Sequence, residues 1–177
     1  VHEFFGMNLF WYKLTQIFGI AAIAVAGLFA VTGAVELIKR KSLLKVDREL
    51  LMLGLVYIIV IVLYVLFEKF AVNYRPVILD PAEGLEPSYP STHTMLILTI
   101  FGTAVRAFGF YIKNKKLLAG ARICALIIMA LTIVGRLVCG VHWLTDIIGG
   151  VLISISLICL YKALTTQNTQ KENANEE

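Results

Sequence analysis

Charge is scarce in this chain: Asp, Glu, Lys and Arg make up 16% of its 177 residues, against about 25% in an ordinary soluble domain. A water-exposed globule of this length is excluded on that ground. The cysteines offer no framework either. Cys124, Cys139 and Cys159 are odd in number and lack metal-type spacing, which argues against a disulfide scaffold or a zinc site and leaves them as small core hydrophobes. No Gly-rich phosphate loop, low-complexity tract or internal repeat is found. The net charge of +4 is small, and no nucleic-acid partner is expected from it.

What is present in excess is apolar. Hydrophobic residues make up 59% of the chain and fall into long runs. Five segments reach the roughly 18–20 residues needed to cross a bilayer core of about 30 Å: Thr15–Ile38, Leu50–Phe67, Met95–Ile112, Leu117–Leu137 and Leu144–Leu164. Each must be helical, because lipid offers nothing to satisfy an open backbone group. The expected fold is therefore all-α, a polytopic transmembrane bundle whose bilayer-embedded domain covers residues 15–164. After Leu164 the chain turns polar without periodicity, and residues 165–177 are expected to be a cytoplasmic tail without regular structure. Residues 1–14 carry Phe4, Phe5, Phe10, Trp11 and Tyr12 among polar groups and read as an interfacial amphipathic segment.

Orientation follows from the placement of Lys and Arg. The first connection holds Lys39, Arg40, Lys41, Lys45 and Arg48, and the third holds Lys113, Lys115 and Lys116. The second carries Lys69 and Arg75 against Glu68, Asp80, Glu83 and Glu86, and the fourth has no Lys or Arg after Arg136. The first and third connections are thus expected in the cytoplasm, with the second and fourth outside. Residue 1 then starts outside without a cleavable-signal pattern, which suggests a preceding crossing helix.

The two outward connections hold the chemistry. Two of the three histidines, His93 and His142, lie there, as do Arg75 and Arg136. Ionisable groups at membrane depth are costly and usually functional. Pro90-Ser91-Thr92-His93 stands directly before an apolar run, so Ser91 or Thr92 is a natural N-cap, and the free first-turn amides form an anion site. If the last helix begins near Val141, His142 and Asp146 stand four apart on one face, and the carboxylate can fix the imidazole tautomer. Arg75 and Arg136 can grip phosphate oxygens bidentately. These are the parts of a metal-free phosphoryl-transfer site. Asp80, Glu83 and Glu86 fit no familiar cation cage and read as a solvated loop.

Three motifs carry a family resemblance. The type 2 phosphatidic acid phosphatases have Lys, six residues, Arg-Pro; then Pro-Ser-Gly-His; then Ser-Arg, five residues, His, three residues, Asp. This chain reads Lys69-Phe-Ala-Val-Asn-Tyr-Arg75-Pro76, Pro90-Ser91-Thr92-His93, and Gly135-Arg136-Leu-Val-Cys-Gly-Val-His142-Trp-Leu-Thr-Asp146. It resembles that family from about Leu50 to Leu164. Three departures stand out: one residue fewer between Lys69 and Arg75, Thr92 in place of Gly, and Gly135 in place of Ser.

The resemblance implies six crossing helices, of which the five here would be the second to sixth. It also implies a bacterial plasma-membrane lipid phosphatase with its site on the extracytoplasmic face. His142 would attack phosphorus, oriented by Asp146, and His93 would protonate the leaving oxygen. Lys69, Arg75, Ser91, Thr92 and Arg136 would hold the phosphate. No cofactor and no metal are expected. The substrate would be a lipid phosphate such as phosphatidylglycerol phosphate, phosphatidic acid or undecaprenyl pyrophosphate. The rival reading is a protein that binds or moves lipid phosphates without cleaving them; such a binder has no need of the His142–Asp146 pair.

Overall fold

The computed structural model describes residues 7–79, 81 and 84–175, the last nine as backbone only. Asp80 and Glu83 of the acidic loop, and residues 1–6 of the interfacial segment, lie outside the described residues. Five long helices make up the fold: α1 (Leu9–Arg40), α2 (Arg48–Lys69), α3 (Thr92–Tyr111), α4 (Lys115–Val138) and α5 (Leu144–Asn175). All five are long and apolar enough to span a membrane, as the hydropathy pattern requires.

The outer ends depart from expectation. α1 begins at Leu9, capped by the Asn8 side chain accepting from the Trp11 amide at 3.3 Å. Residues 9–14 therefore belong to the crossing helix itself. At the other end α5 stays helical to Asn175, past the apolar stretch. Extending a formed helix costs far less than nucleating one, and Gln, Lys, Glu and Ala are good helix formers. Of the cysteines, only Cys139 is buried, while Cys124 and Cys159 are exposed on α4 and α5.

α3 is the central helix, packed on α1, α2, α4 and α5. Over half of its apolar stretch, 56%, is buried inside the protein, against 6% for α1, so α1 is peripheral and mostly turned outward. Without a hydrophobic force between helices in lipid, small residues and interhelical hydrogen bonds must hold them. Ser154 of α5 donates to the Met95 carbonyl of α3 at 2.9 Å. A Cβ on Gly150 would come within 3.0 Å of the Ser91 carbonyl oxygen, and one on Gly149 within 2.5 Å of the Tyr89 ring. Those two glycines let the start of α5 press on the start of α3.

The α2–α3 connection is pinched by an antiparallel bridge between Tyr74 and Pro87, with Arg75 and Ser88 amides donating to the Glu86 and Asn73 carbonyls at 3.0 and 2.9 Å. The Trp143 indole donates to the Tyr74 carbonyl at 2.9 Å. That bond ties this loop to the α4–α5 connection, next to Arg75 on one side and His142 on the other.

Candidate active site

The buried half of the site grows out of the α4–α5 turn. Arg136 lies in the last turn of α4, Gly140 turns the chain at φ 72°, and α5 starts at Leu144. His142 therefore precedes the helix and is not in its first turn, as a start near Val141 would have put it. The turn still delivers it to Asp146: His142 Nδ1 lies 3.6 Å from Asp146 Oδ2. That is longer than the ~3.2 Å limit of a hydrogen bond, and both His142 Nδ1 and Asp146 Oδ1 have no hydrogen-bond partner among the described residues. Asp146 Oδ2 instead accepts from the Trp143 amide at 2.9 Å. Catalytic contacts of this kind are often loose before substrate binds.

Arg136 settles which nitrogen of His142 holds the proton. Its Nη2 lies 2.9 Å from His142 Nε2, and a guanidinium has only donors. Nε2 therefore presents its lone pair to Arg136, and the proton sits on Nδ1 toward Asp146. Arg136 and Asp146 are fully buried and His142 is 2% exposed. Burial pushes the His142 imidazole down to about 4; the Asp146 contact opposes this, and Arg136 and Arg75 add to it. At neutral pH the ring is uncharged.

The second half is carried by α3. Ser91 is its N-cap, as the sequence suggests, but its side chain caps no amide. Its Oγ accepts from Thr94 at 3.0 Å, and its own amide donates to the Asp146 carbonyl at 2.9 Å. The first-turn amides of α3 thus keep their donors for an anion. Thr92 and His93 follow, half-buried, and both line a groove of about 280 Å³ that runs between α1, α2 and α3 past Ile20, Ile23, Ile61 and Leu96. Arg75, Arg136 and His142 all lie near enough to act electrostatically on the His93 ring.

Arg75 reaches the site but is engaged: its Nη2 pairs with Glu86 Oε2 at 3.0 Å. Glu86 is therefore a partner of a site arginine and not part of a solvated loop. Lys69 stays apart. It is exposed on the last turn of α2 and forms no hydrogen bond or ion pair among the described residues.

Sequence reasoning missed the contribution of α1. Thr15 is fully buried, and its hydroxyl accepts from Arg136 Nη1 at 3.3 Å. The next residue, Gln16, places Oε1 at 2.6 Å from His93 Nε2. Tyr12 lies under the Arg136 guanidinium, 5.7 Å from ring centroid to carbon. The signal was available: Thr15 and Gln16 are neighbouring polar residues at the head of an apolar run, where polar groups need a reason. The same helix accounts for Gly135. A Cβ there would lie 2.8 Å from Thr15 Cγ2 and 3.0 Å from the Trp11 ring. The approach of α1 leaves no room for a side chain at residue 135, and the same Thr15 supplies a hydroxyl to Arg136.

With this geometry in hand, comparisons with known proteins can be placed on it. A sequence model described as the PAP2 superfamily matches residues 49–170, a span that holds all three motifs and excludes Thr15 and Gln16. No curated protein matches the chain. Among solved structures, the chain is similar to one described as the first transmembrane PAP2 type phosphatidylglycerolphosphate phosphatase from Bacillus subtilis. The TM-score is 0.63 at 21% identity, over 92% of this chain and 77% of that one. At that identity the likeness establishes a shared fold.

Proposed function

This chain belongs to the PAP2 superfamily, and from that premise we propose that it is an integral membrane phosphatase removing the terminal phosphate of a lipid phosphate or pyrophosphate through a phosphohistidine on His142. The observation that carries the reading is the buried Arg136–His142–Asp146 array, with its lone pair on Nε2.

The anion would first draw Arg136 off Nε2 and Arg75 off Glu86. Both guanidiniums, the Ser91 hydroxyl and the first-turn amides of α3 from Thr92 onward would then carry the charge on the phosphoryl oxygens. His142 Nε2 attacks phosphorus in line and the P–O bond to the lipid breaks, while Asp146 steadies the positive ring. His93 gives a proton to the departing oxygen. In the second step His93 takes a proton from water, the water oxygen bonds to phosphorus, and the P–N bond breaks. Such positioning and charge stabilisation supply most of phosphoryl-transfer catalysis, and no step needs a metal. Lys69 enters only if the α2–α3 connection brings it inward on binding.

The groove beside His93 supports a lipid substrate over a soluble one. Its walls are Ile20, Ile23, Ile61, Leu96 and Ile97, a lining suited to the chain of a lipid whose phosphate sits at the helix ends. With the charge asymmetry of the connections, this favours a site on the extracytoplasmic face of a bacterial plasma membrane. Phosphatidylglycerol phosphate, phosphatidic acid and undecaprenyl pyrophosphate are the candidate substrates.

The test is phosphate release by the purified protein in nanodiscs, offered these three lipids in parallel, with excess EDTA and a His142→Ala control. Release that survives EDTA and vanishes in the variant is the expected result. Binding without release by the intact wild-type protein would leave the non-catalytic binder as the better reading.

A further inference from the structure

The two site histidines have differently charged neighbours on the side away from their free lone pair: Asp146 stands 3.6 Å from His142 Nδ1, while His93 is met by the neutral Gln16, from the peripheral helix α1. Gln16 Oε1 lies 2.6 Å from His93 Nε2, and a neutral amide oxygen only accepts. The shared proton therefore belongs to Nε2. The other nitrogen, Nδ1, is buried and has no partner among the described residues.

Resting on the phosphatase reading above, we infer that Gln16 is a positioning residue that keeps Nε2 of His93 protonated in both charge states, so that all proton exchange with substrate and water runs through Nδ1. In the first step His93, charged by a proton that Nδ1 took from the acidic phosphate of the substrate or from water in the preceding turnover, passes this Nδ1 proton to the bridging lipid oxygen as the P–O bond breaks and the P–N bond to His142 forms. In the second step Nδ1 takes a proton from water as the water oxygen replaces Nε2 of His142 on phosphorus. The Nε2–H bond to Gln16 persists throughout and fixes the ring plane.

A neutral acceptor suits this task where a carboxylate would not. The groups facing His93 are Arg136 from α4, Arg75 and His142 from the two connections, and Tyr64 of α2 across the groove. Two guanidiniums are among these groups, and the Nδ1 proton is the one that must leave. A carboxylate at residue 16 would hold that proton back, as Asp146 does for the ring that must carry positive charge as a nucleophile. The amide accepts a hydrogen bond without adding the charge.

The experiment compares Gln16→Met, of similar size with no acceptor, and Gln16→Glu with wild type in nanodiscs. Two substrates are used: an alkyl lipid phosphate, and an aryl lipid phosphate whose leaving oxygen needs no proton. For Gln16→Met we expect kcat on the alkyl substrate to fall about 10–100-fold, a part of the ~10²–10⁴ that general acid catalysis supplies. KM should hold, and the loss on the aryl substrate should be much smaller. For Gln16→Glu the basic limb of the kcat profile should move to higher pH. Equal losses on both substrates, or an unmoved basic limb, would overturn the inference. Nitrogen NMR of labelled histidine in the wild-type protein tests the same point without a variant: His93 must be the Nε2–H tautomer, and an Nδ1–H tautomer sinks the idea. If wild type releases no phosphate, the phosphatase reading falls and the catalytic role of Gln16 falls with it. Normal wild-type release with indifferent Gln16 variants removes this inference alone.

Discussion

His142 and His93 lie close enough to act on each other electrostatically and are built in opposite ways. His142 is 2% exposed, set between the Arg136 guanidinium and the Asp146 carboxylate, which are both fully buried and flank it in the same α4–α5 turn. His93 is half-buried on the wall of an apolar groove and is held by a residue 77 positions away. The first arrangement suits a group that must bond to phosphorus and carry charge there. The second suits a group that must follow a leaving oxygen and then a water.

The sharpest way to break this division is to remove each ring in turn. His142→Ala should abolish turnover, on the order of 10⁴–10⁶-fold as for other covalent nucleophiles, and leave no acid-labile phosphoprotein after quenching with labelled substrate. His93→Ala should cost less, about 10²–10⁴-fold on an alkyl lipid phosphate. With an aryl substrate the His93 variant should form the phosphohistidine and accumulate it. If both variants fail at the same step, the two-role division is wrong.

A second comparison concerns α1 against the motif-bearing core. Gly135→Ser restores the hydroxyl of the motif but places a Cβ 2.8 Å from Thr15 Cγ2. Overpacking of this kind costs about 1–3 kcal/mol, so melting temperature and kcat should both fall. Adding Thr15→Ser removes the obstructing methyl and keeps a hydroxyl for Arg136, so the double variant should recover most of the loss. No recovery would mean that α1 does not seat where Gly135 requires it.

Acid should titrate His142 late. His142 is pushed down to about 4, so histidine NMR of the substrate-free protein should show this ring neutral until the pH nears that value. The sign for stability follows from proton counting. The unfolded ring titrates near ~6.5, and the folded one binds its proton later. Its contribution is therefore intact above ~6.5, declines as the pH falls toward about 4, and levels off below. A ring that titrates near 6.5 in the folded protein would contradict the burial argument.

The smallest effect should come from Glu86→Gln. Removing the carboxylate that holds Arg75 at 3.0 Å frees this guanidinium for phosphate, and KM should fall a few-fold, roughly 1 kcal/mol or less for a partly exposed pair, with kcat little changed. A rise in KM would mean that Glu86 positions Arg75 for substrate and does not compete for it.

Hydropathy made the helices legible because lipid permits so few alternatives for an apolar run. The motif residues were legible because the spacing of Arg136, His142 and Asp146 is a property of the chain itself, and it held although the helix starts after His142. Residues brought in from elsewhere were harder to see. Gln16 and Thr15 act across tertiary distance, and a lone polar pair in a helix does not name its partners. Glu86 looked solvated because sequence gives no pairing for a loop carboxylate. Lys69 shows the converse: a motif match with shifted spacing left its side chain on an exposed turn.

The hydrogen bond from Arg136 to Nε2 of His142 also bears on a hazard shared by any reactive imidazole at a membrane surface. Aldehydes and other electrophiles released from damaged lipids alkylate unprotonated ring nitrogens. On the proposed mechanism the lone pair would pass directly from the Arg136 guanidinium to phosphorus, and an anionic guest that attracts Arg136 would uncover it. An Arg136→Lys substitution, which loosens this bond, should therefore make the resting protein easier to poison, whatever it does to turnover.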